Sequence, residues 1–90
     1  MSQPKSQIQT ILDERESTYG DFSDHAVISQ NLQDAMRAAP GFHNLDPAKK
    51  QALSVIADKI ARILNGDPNY ADSWIDIIGY TKLVIDRLPK

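Results

Sequence analysis

Two long stretches of helical apolar periodicity, residues 53–64 and 70–88, are separated by little more than Gly66-Asp67-Pro68. That brevity constrains the fold more than anything else in the chain. Asp46-Pro47 supplies an N-cap and a first-turn proline for the first stretch, whose apolar face is Leu53, Ile56, Ala57, Ile60, Ile63 and Leu64. Gly66 closes it, and Asp67-Pro68 repeats the opening signal at once. Helices joined by so short a turn lie antiparallel and side by side. Residues 46–88 therefore predict a helix hairpin.

The rest of the chain predicts two more helices. Ile8, Ile11, Leu12 and Tyr19 form a short stripe that stops at Gly20. Asp21 caps the next helix, along which Phe22, Ile28, Leu32, Ala35, Met36 and Ala39 recur until Pro40-Gly41 breaks the pattern. Residues 40–45 read as a loop and residues 1–5 as a frayed start. The expected fold is a single all-α, four-helix bundle-like domain over residues 1–90. The last helix is apolar around most of its circumference, from Tyr70 and Trp74 through Ile75, Ile77, Ile78, Tyr80, Leu83, Val84 and Ile85 to Leu88. Such a helix is usually central in its bundle or partly covered by a second subunit. A chain of 90 residues cannot easily enclose it on all sides, so the expectation is a homo-oligomer, most simply a twofold dimer, with a monomer carrying exposed aliphatics as the alternative.

Composition narrows the chemistry. Cysteine is absent and only His25 and His43 carry imidazoles, which excludes thiolate zinc sites, cysteine nucleophiles and a histidine-rich metal centre. The net charge of -2 gives no general attraction to nucleic acid or an anionic membrane. Residues 1–5 lack the apolar core of a signal peptide, and no apolar run reaches spanning length, so the expected location is the cytoplasm. No phosphate-cradling glycine loop or nucleophile elbow is present. Neither histidine has an evident partner, and both read as surface residues.

The chemistry-bearing residues fall in two groups. In the hairpin, Lys59 and Arg62 share one face of the third helix, and Asp72 and Asp76 share one face of the fourth. Counting outward from the turn sets Arg62 level with Asp72 and Lys59 level with Asp76. Such a cluster either fixes helix register as ion pairs or forms a pocket in which the two cations hold a phosphate. Asp58 competes for Arg62 as an i, i+4 partner. Gly79 permits close approach of another backbone. The second group, Arg15, Tyr19 and Asp21, stands at the junction of the first two helices, where loop residues can reach a ligand.

Taken together, Arg15-x-x-x-Tyr19-Gly20, Lys59-Ile60-Ala61-Arg62 and the run from Asp72 through Ser73, Trp74, Asp76 and Gly79 to Tyr80 resemble a family of short phage and prophage proteins described as MazG-like. The likeness spans roughly residues 8–88. It implies a fold related to the all-α nucleotide pyrophosphohydrolases, which hold magnesium with a Glu-x-x-Glu pair on one helix and a Glu-x-x-Asp pair on the next. The second pair falls on Ser73 and Asp76, with Asp72 one position earlier. The first falls on Lys59 and Arg62, a reversal of charge. Magnesium needs several hard oxygen ligands, and two cations repel it.

The leading expectation is thus a non-catalytic phage accessory protein without a cofactor, binding a nucleotide-like ligand or a host protein. Lys59, Arg62 and Arg15 are its phosphate candidates, and Tyr19, Trp74 and Tyr80 are available to stack on a base. Asp72 and Asp76 would remain as an ion-pair cluster or vestigial metal site. One alternative is an active magnesium-dependent nucleoside triphosphate pyrophosphohydrolase drawing on Asp58, Asp72, Asp76 and Glu14 or Glu16. Another is a purely structural or partner-binding bundle.

Overall fold

The computed structural model describes residues 6–89; the expectation for residues 1–5 lies outside them. Four α-helices occur in the order α1 (Gln7–Tyr19), α2 (Phe22–Ala38), α3 (Pro47–Asn65) and α4 (Ala71–Ile85), with a 3-10 turn at Pro40–Asn44. No strand occurs among the described residues. Local chemistry accounts for most of the boundaries. Ser6, Asp21 and Asp46 each accept a backbone N–H of the first turn of α1, α2 and α3. Pro47 occupies the first turn of α3, where its missing N–H costs nothing.

The fourth helix departs from expectation at both ends. Asp67-Pro68 does not open it. The Asp67 carboxylate instead accepts the Asn69 N–H at 2.9 Å, and Tyr70 N donates to Asp67 O at 3.2 Å, so the segment is a tight turn and the helix begins at Ala71. Its regular part ends at Ile85 rather than near Leu88, and a final turn follows with Arg87 and Leu88 donating back to Val84 and Ile85. The expected loop at residues 40–45 is largely the 3-10 turn.

The packing order also differs from a symmetric four-helix bundle. The hub is α3, which packs against both α2 and α4, while α2 and α4 have at most marginal contact with one another. The apolar α4 is therefore a flank, not the centre. The reason lies in the side chains at the helix crossings. The buried apolar residues among those described are Ala52, Ala57 and Ala61, all on α3, with Ser29 of α2 and Ser73 of α4 buried beside them. Small residues on the middle helix bring both neighbours close. The same economy leaves large side chains outside: Ile75, Ile78 and Ile85 of α4 remain 57%, 68% and 55% exposed. No helix among the described residues is long and apolar enough to cross a membrane.

Candidate functional site

The junction of α1 and α2 is stitched to the end of α3. Gly20 has φ +81°, a conformation that suits glycine, and its N–H donates to Glu16 O at 2.8 Å to end α1. Asn65, the last residue of α3, donates from its side-chain amide to Tyr19 O at 3.0 Å and to Asp21 O at 2.9 Å. Asp67 N donates to Thr18 O at 2.7 Å. The backbones approach so closely that a Cβ on Gly20 would lie 2.3 Å from Asn65 O, and one on Gly66 would lie 2.2 Å from Thr18 O. Both glycines are thus required for docking as well as for ending helices.

This stitching places Tyr19 over the third helix. The Arg62 guanidinium lies 4.6 Å from the centre of its ring and that of Arg15 5.6 Å, while Tyr70 meets it edge-on at 5.8 Å. Below the ring, Asp58 gathers three donors. His25 Nε2 donates to Oδ1 at 2.7 Å, Ser29 Oγ to Oδ1 at 3.3 Å and Arg62 Nε to Oδ2 at 3.1 Å. Gln33 extends the chain by donating to Ser29 Oγ at 3.1 Å. Burial would push the Asp58 carboxyl upward. The His25 hydrogen bond, the charges of His25 and Arg62, and the Ser29 hydroxyl outweigh it and hold the group below its ordinary value.

These groups border a cleft of about 310 Å³ between α1, α2 and α3. Its polar wall is His25, Asp58 and Arg62, its rim carries Arg15 and Glu16, and Phe22 stands beside it with 81% of its surface exposed. The terminal nitrogens of Arg62, and the whole guanidinium of Arg15, make no hydrogen bond or ion pair among the described residues.

The structure brings only part of the expected constellation together. Lys59 Nζ meets Asp76 Oδ2 at 3.1 Å, in the expected register. Arg62 turns the other way, to Asp58 and Tyr19, and Asp72 accepts the Tyr70 hydroxyl at 3.0 Å instead. That bond also raises the Tyr70 hydroxyl above its ordinary value. Trp74 is tied by its indole N–H to Pro68 O at 2.8 Å, and Tyr80 lies at another surface with Gln51, Leu83 and Arg87. Lys59, Trp74 and Tyr80 therefore do not line the cleft, whereas Arg15, Tyr19 and Arg62 do.

Two expectations about the histidines are corrected. His25 is mostly buried, its side chain 12% exposed, and is held by Asp58 across 33 positions of sequence. His43 is exposed as expected, but it has a partner, Arg37 O, at 3.0 Å. A signal for His25 was present: His25, Ser29 and Gln33 form a polar stripe at i, i+4, i+8 in an otherwise amphipathic helix. Asn65 had no comparable signal, because its partners are 44 and 46 positions away.

The residues present do not suit the magnesium site of the pyrophosphohydrolases. Among the described residues no three of His, Cys, Asp or Glu gather as a metal site. Asp58, Asp72 and Asp76 each serve a different donor: His25 and Arg62, Tyr70, and Lys59. Ser73, where that superfamily carries an acid, is buried.

Comparison with known families decides the kinship. Residues 5–87 match the domain of unknown function DUF6378. The chain belongs to this family. No curated protein and no solved structure gives a significant match, so what a member of the family does must be argued from the cleft itself.

Proposed function

We propose that this chain is a non-catalytic helical module on a MazG-like scaffold, from a phage or prophage accessory region, that binds a nucleotide-like ligand in the cleft between α1, α2 and α3. The observation that carries this reading is the pair of arginines around Tyr19. Arg62 is fixed through Nε by Asp58 and by the Tyr19 ring, leaving its outer nitrogens free, and Arg15 is unpaired among the described residues. Guanidinium groups held in place lose little freedom when they take an anion in a forked hydrogen bond.

The surroundings define the ligand further. The cleft is mixed in charge, since Glu16 and Asp21 also line it. A polyanion gains little there, whereas one phosphate on a body carrying hydrogen-bond donors suits both halves. Phe22, 81% exposed, offers a face for a planar base, while the Tyr19 ring is taken by the two guanidinium groups. A nucleoside monophosphate fits this chemistry better than a triphosphate. Arg15 takes over the phosphate-binding role that sequence reasoning shared with Lys59, because Lys59 is engaged by Asp76 outside the cleft.

The test is a thermal-melting screen with nucleoside mono-, di- and triphosphates and inorganic phosphate. A ligand at about 100 times its Kd stabilises by about 2.7 kcal/mol, and for a chain this small each kcal/mol raises Tm by about 4–8 °C. Arg15→Ala should remove the shift, with Lys59→Ala retaining it. Absence of a shift with every nucleotide, or a shift indifferent to Arg15→Ala, would overturn the reading. Magnesium-dependent release of pyrophosphate from triphosphates would favour the catalytic alternative.

A further inference from the structure

The fold uses only one ring nitrogen of His25. Nε2–H is committed to Asp58 Oδ1 at 2.7 Å, which fixes the neutral ring as the tautomer with a lone pair on Nδ1. Nδ1 makes no hydrogen bond among the described residues, and no side-chain nitrogen or oxygen among them is both buried and without a partner. The ring is enclosed, its side chain 12% exposed, and it lines the cleft. Nδ1 is therefore the open polar atom of a mostly buried side chain. The same carboxylate holds Arg62 Nε on its other oxygen at 3.1 Å. Imidazole and guanidinium thus share one anchor, with Nδ1 and the outer arginine nitrogens unengaged.

The charges around the ring say what Nδ1 can take. The titratable and charged groups lining the cleft with His25 are Arg15, Glu16 and Tyr19 from α1, Asp21 from the junction, and Asp58 and Arg62 from α3. Two guanidinium groups face three carboxylates. A phosphate dianion entering beside a neutral imidazole finds no surplus of positive charge, and its oxygens meet the Nδ1 lone pair. One added proton removes both obstacles. Imidazoles and phosphate monoesters titrate just below neutrality, at about 6.5 and about 6, so either partner can carry it. In both cases the proton lies between Nδ1 and a phosphate oxygen.

Given the nucleotide reading of the cleft, on which this role rests, we infer that His25 is its third phosphate-binding side chain, beside Arg15 and Arg62, and that a proton enters with the phosphate. Occupancy is then governed by pH near neutrality, and Asp58 is the positioning residue that aims Nδ1. Above the range where the free partners titrate, they lack the proton that the complex holds, so raising the pH weakens binding. Uptake of a whole proton corresponds to about tenfold per pH unit. The arginines alone give the opposite trend, because they favour the dianion that forms as pH rises.

Calorimetric titration of the native chain with each of the four ribonucleoside monophosphates, in buffers of unlike ionisation heat, tests this. The expected result is net proton uptake and an affinity that falls about tenfold between about pH 6.5 and about pH 8. His25→Gln keeps an amide that can donate to Asp58 but has no titrating nitrogen. It should bind more weakly at the lower pH, with a profile that is flat or rising and no uptake. Binding to the native chain without proton uptake, or a falling profile retained by His25→Gln, would overturn the role of His25 and leave the nucleotide reading in place. Absence of binding by every monophosphate at either pH would overturn both. Proton uptake is read on the native chain, so the test holds even if His25→Gln fails to fold.

Discussion

His25 Nε2 lies 2.7 Å from Asp58 Oδ1, and this contact joins the start of α2 to the middle of α3. Because Asp58 also takes Ser29 and Arg62, the carboxylate organises one whole wall of the cleft. Its loss should therefore be felt in stability as well as in binding. Asp58→Asn is expected to cost roughly 1.5–3 kcal/mol, the range for hydrogen bonds to a charged group, measured by urea denaturation. A loss below a few tenths of a kcal/mol would show that the wall does not depend on this carboxylate.

The same contact sets a pH dependence. Asp58 is held below its ordinary value of 3.8, so the folded chain binds the proton less readily than the unfolded one. The stability it contributes is present above the unfolded value and lost as pH falls through the folded one. Melting temperature should decline on acidification below about pH 4, and Asp58→Asn should flatten that decline. An identical acid limb in both proteins would exclude Asp58 as its source.

Gly66 should be intolerant of a side chain because of the backbone packed against it. An added Cβ would lie 2.2 Å from Thr18 O and 2.4 Å from Tyr19 Cα. Backbone cannot retreat as a flexible side chain can, so Gly66→Ala should cost about 1–3 kcal/mol or more. Gly41→Ala, with open space around it, should stay within about 0.5 kcal/mol. Equal effects at the two positions would contradict the close packing of the junction.

What could be read from the sequence follows the range of the interactions involved. Helix starts at Asp21 and Asp46, and the stop at Gly20, rest on hydrogen bonds within a few residues and were legible. Asp67-Pro68 carried the same local signal as Asp46-Pro47, but Asp67 turned its carboxylate to Asn69 and its N–H to Thr18, a partner far back in the chain. The site divides in the same way. The Lys59–Asp76 register follows from hairpin geometry. Arg62 had two reachable carboxylates, and the docking of Tyr19 above it accompanies the choice of Asp58. Which helix forms the hub depended on alanines at the α3 crossings, whereas apolar content pointed to α4.

Asn65 provides the sharpest test of how the junction is held. Its amide donates to Tyr19 O and Asp21 O, two carbonyls on either side of the Gly20 turn. Asn65→Ala removes both donors and should cost roughly 1–2 kcal/mol, in line with two ordinary hydrogen bonds to partly exposed carbonyls. Asn65→Asp keeps the shape but replaces the donor with a carboxylate that can only accept, setting negative oxygen against two carbonyl oxygens. It should therefore be the more damaging change, and raising the pH from below to above the ordinary carboxylate range should worsen it. Since Tyr19 is positioned by the same turn, Asn65→Asp should also weaken nucleotide binding in the melting screen, with no direct contact to the ligand required. Asn65→Asp proving milder than Asn65→Ala would show that the amide acts here through packing and not as a donor.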